Sequence, residues 1–444
     1  MKKSLQFSLE FLFVFVSFLS FAKIEAKSWS IEEARRRVLE NNHQVQASKY
    51  FLLGIEESKK QSFSAYLPKI ELEARLIRSN ANAFSGQSEQ ESSKLLLSQV
   101  LFSSPHFFAI KKSSLKLSMS EQKDIELKAQ LLFELRQSYY LCLLHSEQVS
   151  VLLENVDILK DALAIEKAQE ALGQSTDFEV EQAKLSLSNA QSMYFDAEKK
   201  YKISMYRLRK ILNLSEEEEL ELTEKNIPMV ENLKEKLLLL EDLEVKKNYQ
   251  LFKPEEQKQW MRIAEKQNPL LKSLIVEGEL AKVSLDEKRA DYFPSVQAFA
   301  SYETLRPQVP ASAYYDHVNV GLRLSWTLFD SFARESRWRQ ANHGLMQQSQ
   351  LIDQLSLDLQ TSIKERLLEI EEAILSYRVA QDAVLLADSA LEKGRQRLDL
   401  GSIKAISFRE LLSLRKEAKL SLSQAAYHLL ISYFSLQALV GETL

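Results

Sequence analysis

The chain has 444 residues and a formal charge of −4, with 27% charged residues, too little net charge to argue for nucleic acid or an acidic lipid surface as a partner. Its single cysteine, Cys142, excludes an intrachain disulfide and a thiolate metal cage, and reads as a small core residue. Nine glycines and eight prolines in such a length suit long uninterrupted helices.

The first 22 residues predict a signal peptide. Lys2 and Lys3 precede an apolar core from Phe11 to Phe21, and Ser20-Phe21-Ala22 places small residues where a signal peptidase reads. Cleavage is expected after Ala22, with Ala26 as the alternative. The apolar stretch is well short of the roughly 20 residues a spanning helix needs. No later segment has about 18 uninterrupted apolar residues, so the mature chain is expected outside the cytoplasm and not as an inner-membrane helical protein.

Beyond the leader the chain reads twice over one plan, residues 23–214 and 257–444, joined by a segment at 215–256. Asn42 recurs as Asn268 and Pro68 as Pro294, each 226 residues on. LSQVLFSS at 97–104 recurs 227 residues on as LSWTLFDS, and Leu172-Gly173 recurs 228 on as Leu400-Gly401. Offsets that drift so little imply duplication with few insertions.

In each half a helix (29–65, then 257–291) is expected to lead through a proline into a strand. Ile70, Leu72, Ala74 and Leu76 alternate with Glu71, Glu73 and Arg75, which predicts a strand at 69–78 with one apolar and one polar face. Its return is expected at 94–102, where KLLLSQVLF alternates less cleanly. The second-half strands are expected at 295–304 and 317–328. Each return strand is followed by a very long proline-free stretch, a Leu-Gly tip and a shorter helix running back. The first long helix, from about residue 106 to 172, would extend about 100 Å. Val149, Leu152, Val156, Leu159 and Leu163 step by three and four, a coiled-coil seam. The joining segment, with SEEEELELTE and the amphipathic ENLKEKLLLLEDLEVKK, is expected to pack as a belt against the rods.

Strand length decides the class. About ten tilted residues cross a bilayer as β structure, and aromatics mark the helix-side strand ends: Tyr66, Phe102, Tyr292, Phe293 and Phe329. Four strands cannot close a barrel, and an open edge in lipid leaves backbone groups unpaired. Several copies must therefore complete it; two, three or four would satisfy closure. The rival reading is a soluble periplasmic coiled-coil scaffold or adhesin. Catalysis finds no support. The six histidines share no ligand spacing, no phosphate-binding glycine loop is present, and no cofactor or metal is expected. Seven methionines without Met-x-x-Met spacing give no copper-export signature.

SIEEARRRVLENN, AYLPKIELEA, DYFPSVQAFASY, LSWTLFDS and the tips LGQSTDFEVEQA and LGSIKAISFRELLS together resemble the TolC family of outer-membrane efflux channels, over essentially the whole mature chain. The resemblance implies a mainly α fold with a membrane β-barrel. Three copies would form a twelve-stranded β-barrel in the outer membrane of a Gram-negative bacterium, continued by a twelve-helix α-barrel across the periplasm. It implies a conduit for efflux or type I secretion, docked through a periplasmic adaptor onto an inner-membrane transporter. Docking would fall at Leu172, Gly173, Gln174, Leu400, Gly401 and Ser402. The family's acidic residues at the periplasmic mouth map onto Glu179 and onto Glu410, the second tip being read as about three residues longer. Ser413 stands where a second carboxylate is frequent. Glu410 faces either the lumen or a solvated outer face.

Overall fold

The computed structural model describes residues 28–78, 89–216, 218–224, 227–228, 251–307, 315–400, 402–403 and 405–441. The leader, the strand-connecting loops at 79–88 and 308–314, the amphipathic stretch at 231–247 and Gly401 lie outside the described residues. The described chain is mainly helical. It divides into two compact units, one of residues 28–38, 135–228 and 380–427, the other of 39–134, 251–379 and 428–441.

The first unit opens with β1 (Ser28–Trp29), followed by helix α1 (Ile31–Asn41). The sequence SIEE starts α1 with a capping box: Glu33 N donates to Ser30 Oγ at 3.3 Å and Ser30 N to Glu33 Oε2 at 3.0 Å. Four further helices contribute: α3 (Ser104–Ala171) in part, α4 (Asp177–Leu212) and, later in the chain, α7 (Ala333–Asp399) and α8 (Ala405–Val440), these two also in part. Within this unit the expected seam is observed. Leu152, Val156 and Leu159 of α3 are buried, and the last two cluster with Ala190 of α4 and Leu412 of α8. A two-residue strand β4 (Glu221–Leu222) pairs in parallel with β1, a contact that periodicity over two residues has no means to signal. Tyr139 is buried and its hydroxyl donates to Trp29 O at 2.8 Å. Cys142 is buried, and burial pushes its thiol up to about 11.

The second unit holds α2 (His43–Ser64), α5 (Pro254–Gln267), α6 (Pro269–Ala290) and a four-stranded sheet. The single helices expected at 29–65 and 257–291 are each broken, at the repeated asparagines. Asn42 is extended (φ −67°, ψ 131°) and its side chain accepts from Gln44 N at 2.8 Å, capping α2. Asn268 (ψ 117°) ends α5 and caps α6, its side chain accepting from Leu271 N at 2.8 Å and donating to Leu439 O at 2.7 Å. An amide at both positions satisfies backbone groups that the break would otherwise orphan. The unit's core is formed by Ile363, Leu367, Ile370 and Ile374 of α7 with Leu429, Leu436 and Val440 of α8 and Ala264 of α5.

The sheet comprises β2 (Lys69–Arg78), β3 (Glu89–Phe102), β5 (Ser295–Pro307) and β6 (Tyr315–Ser325), antiparallel in the order β2-β3-β5-β6. Strand β3 begins five residues before its expected start, and β6 stops at Ser325 instead of 328. There the Trp326 ring nitrogen turns to donate to Tyr292 O at 3.1 Å, and Ser331 and Phe332 take positive φ angles, so the ladder cannot continue. Replacing Asn268 by alanine removes a cap and orphans a carbonyl; a loss of about 2 kcal/mol is expected, read as a lower thermal midpoint in detergent.

Candidate functional site

In the sheet, registration converts the alternation into two chemically opposite faces. Ile70, Leu97, Ala300 and Val320 share one row, and Leu72, Leu95, Tyr302 and Val318 the row two residues on. The rows between carry Glu71, Leu96, Ser301 and Asn319, then Glu73, Lys94, Glu303 and His317. Leu96, which spoiled the alternation of β3, thus falls on the polar face, as do Val100 and Phe299. The apolar face is open: Leu72 is 75% and Val320 78% exposed. On the polar face Ser301 is buried, Lys94 lies 3.7 Å from Glu303, and Arg323 stacks 5.4 Å from the Phe299 ring centroid. A contiguous exposed apolar face of this kind marks an interaction surface. Among the described residues, strands β2 and β6, at the ends of the order, each have one ladder edge without an intrachain strand. Among the described residues, no helix is long and apolar enough to cross a membrane.

The expected aromatics gather where the strands meet the helices, in two groups. The Tyr66 hydroxyl donates to Ser103 O at 3.2 Å and its ring meets His106 edge-on. Phe102 is registered opposite Val296 and half exposed. Tyr292 donates to Glu335 Oε1 at 2.9 Å under the Arg334 guanidinium, 4.6 Å from its ring. Phe329 packs edge-on against Phe332, and Phe293 is exposed. Sequence reasoning missed the polar frame of this belt: Arg334 donates to Leu328 O at 2.9 Å, and Arg337 to Asp330 Oδ2 at 3.1 Å. The i, i+4 spacing of Asp330 and Arg334 was its available signal. Amphipathic rings beside paired charges suit a membrane–water boundary.

In the other unit, the tip after α3 ends in a Schellman turn. Gly173 N donates to Glu170 O at 2.9 Å and Gln174 N to Gln169 O at 2.8 Å, with Gly173 at φ +72°. The second tip repeats the longer bond, Ser402 N to Arg397 O at 2.8 Å. Gln174 and Ser402 are exposed, and Leu172 and Leu400 are 74% and 82% exposed. Helices α4 and α8 start and end 228 residues apart, the same offset as the two tips. The second tip therefore carries no extra residues, which corrects the expected alignment: Glu410 corresponds to Gln182, not to Glu179.

The two acidic residues also differ in engagement. Glu179 closes the capping box of α4, receiving Thr176 N at 2.9 Å and Thr176 Oγ1 at 3.0 Å, while its own N–H donates to Thr176 Oγ1. Its charge is held on the helix N-terminus, where the dipole favours it. Glu410 is exposed on α8. Its neighbour Arg409 turns inward, donating to Gln182 Oε1 at 2.9 Å and lying 4.0 Å from Glu166. Glu166 takes the next seam position after Leu163 and is 4% exposed, accepting Ser175 Oγ at 2.8 Å. A glutamate in the stripe gave no sequence warning because its partners lie on α8 and in the tip. In the second half the equivalent position is Gly394, where any Cβ would sit 2.4 Å from Leu411 Cδ1.

Further along α8, Arg415 donates to Glu154 of α3 at 2.8 Å and to Asp388 of α7 at 2.6 Å, and Lys419 reaches Glu154 at 3.2 Å. The Arg415 hydrogen bond, with help from Lys419, holds the Glu154 carboxyl below its ordinary value of 4.5. This tie is fully present above that value and weakens as pH falls through the lowered one. Protection of the backbone amides of residues 405–427, taken against the intrinsic exchange rate at each pH, should therefore fall as pH drops below the ordinary carboxylate value, and Glu154→Gln should flatten that response. Gly173→Ala, strained by the positive φ, should lower stability by about 1–2 kcal/mol and increase exchange at the tip.

The outer membrane efflux protein family matches this chain at residues 34–214 and again at 260–442. Outer membrane protein TolC of Escherichia coli is 21% identical over 206 residues, 44% of this chain and 42% of TolC, so the alignment spans less than half of that relative. The solved structure of CusC superposes with a TM-score of 0.74 at 13% identity, covering 93% of this chain and 92% of CusC. The outer membrane channel CmeC of Campylobacter jejuni gives 0.74 at 15% identity, covering 93% and 85%. Such distant likenesses establish the fold; the doubled family match establishes that this chain belongs to the outer membrane efflux protein family, the TolC family.

Proposed function

We propose that the protein is a passive conduit, the outer-membrane channel of a tripartite efflux or type I secretion system. In this reading three copies close a twelve-stranded β-barrel in lipid and continue it as a twelve-helix α-barrel through the periplasm. The observation that carries it is the sheet: an exposed apolar face backed by a charged one, with an open edge on either side. In lipid such edges leave backbone groups unpaired at several kcal/mol each, and a neighbouring copy supplies the missing ladder. Four alternating strands bring β6 beside the next β2 antiparallel, so any whole number of copies preserves the pattern. The apolar face then meets lipid, the charged face lines the lumen, and the aromatic belt sits at the periplasmic boundary.

The domain plan that goes with this reading is a leader at 1–22, repeats at 23–214 and 257–444, and a joining segment at 215–256. A periplasmic adaptor would dock at the tips, on Leu172, Gly173, Gln174, Leu400, Gly401 and Ser402, linking the channel to an inner-membrane transporter that supplies the energy. The exposure of Leu172 and Leu400 supports this. Of the two acidic residues, Glu410 is the one free to face the mouth, Glu179 being engaged as a cap. In this role it repels anions and attracts cations at the constriction.

Protein extracted from outer membranes should have a mass of three chains by light scattering; a lipid-free monomer would sink the reading. In planar bilayers Glu410→Ala should raise the resting leak several-fold with the oligomer intact, and an unchanged leak would remove the mouth assignment.

A further inference from the structure

The open edges of the sheet also specify how they meet. Lys69, where β2 begins, lies in one row with Ser98, Phe299 and Gly321, yet β6 continues four residues beyond Gly321 to Ser325. At the other end Tyr315, where β6 begins, shares a row with Leu305, Ser92 and Arg75, while β2 continues three residues to Arg78. Both ends of the sheet are therefore skewed in the same sense.

Resting on the closed-oligomer reading, we infer that β6 of one copy pairs with β2 of the next with a slip of four residues relative to these rows. Leu324 then faces Ile70 of the neighbouring copy, and Arg323 faces its Glu71. Three constraints converge on this register. An odd slip would turn one strand's apolar side chains into the lumen. No slip at all would leave the four residues after Gly321 opposite residues 65–68, outside β2 and unpaired in lipid, and a slip in the opposite sense would leave more. The slip of four sets the two strands flush, Ser325 against Lys69.

The geometry agrees. Four residues at about 3.3 Å each, spread over four strand spacings of about 4.8 Å, correspond to a tilt of about 35°, within the 35–45° of closed barrels. The chemistry agrees as well. Leu324 and Leu322 meet Ile70 and Leu72 on the lipid side. On the lumen side the Arg323 cation, 5.4 Å from the Phe299 ring centroid, meets a carboxylate that is paired in its own chain with the exposed Lys69. Cross-strand opposite charges favour such a pairing.

The test is an oxidative cross-link in outer membranes, for which Cys142, buried and with a raised thiol, gives little background. The double variant Leu324→Cys with Ile70→Cys should convert most of the protein to covalent dimers and trimers, and Leu324→Cys with Leu72→Cys should give at least about fivefold less. A stronger cross-link from the second pair overturns the register while leaving closure standing. So does failure of both pairs in a sample that light scattering shows to be oligomeric; a monomer in that measurement defeats closure itself. Arg323→Glu should at least halve the SDS-resistant oligomer, and adding Glu71→Arg should restore it. Failure of that rescue counts against the Arg323–Glu71 contact.

Discussion

A β-strand edge carries backbone donors and acceptors that must be paired wherever water is absent. Most of the architecture follows from that requirement. The chain contributes a sheet too narrow to close, so pairing has to come from outside the chain. The same sheet exposes Val318, Val320, Leu322 and Leu324 along one margin and Ile70, Leu72 and Leu76 along the other, a face that water penalises. In the proposed oligomer, lipid on the face and neighbouring copies at the edges would relieve both costs together. Neither would suffice alone, because a closed barrel in water would still expose the face.

The duplicated plan explains how a single gene product supplies an even number of strands and matched helices. Yet the two halves have diverged where side chains meet. At equivalent seam positions one half buries Glu166, bound by Ser175 and approached by Arg409, while the other has Gly394, filled by Leu411. A buried carboxylate needs its partners in place, since an unpaired charge there is strongly destabilising; a glycine filled by leucine has no such condition. The first tip is thus held by directional polar contacts and the second by packing.

Charged ties across α8 have a different character from the tip contacts. Arg415 joins α3 and α7 through two carboxylates that are both substantially exposed. Ion pairs of this exposure contribute little to stability, but they set which helix faces adjoin and respond to pH and salt. They are exposed, reversible contacts, whereas the Ile363–Ile374 stripe of the other unit is fully buried.

Periodicity made the strand Lys69–Arg78, the coiled-coil seam and the glycine turn at Gly173 legible in the sequence, because each is decided by interactions within a few residues. Faces of a strand, three-four spacing and a positive φ at glycine are local physics. The repeated asparagines were visible as markers of duplication, but their role as caps that break the flanking helices emerged only with the Leu439 carbonyl and the Leu271 amide in place. The box between Thr176 and Glu179, three residues apart, is local as well, whereas the supposed extra residues of the second tip vanished only once α4 and α8 aligned. The skew of the sheet, the partners of Glu166 and the placing of Arg334 and Glu335 against Tyr292 were decided by tertiary structure alone. Each depends on residues far apart in the chain meeting at distances of a few ångströms, which no local pattern encodes.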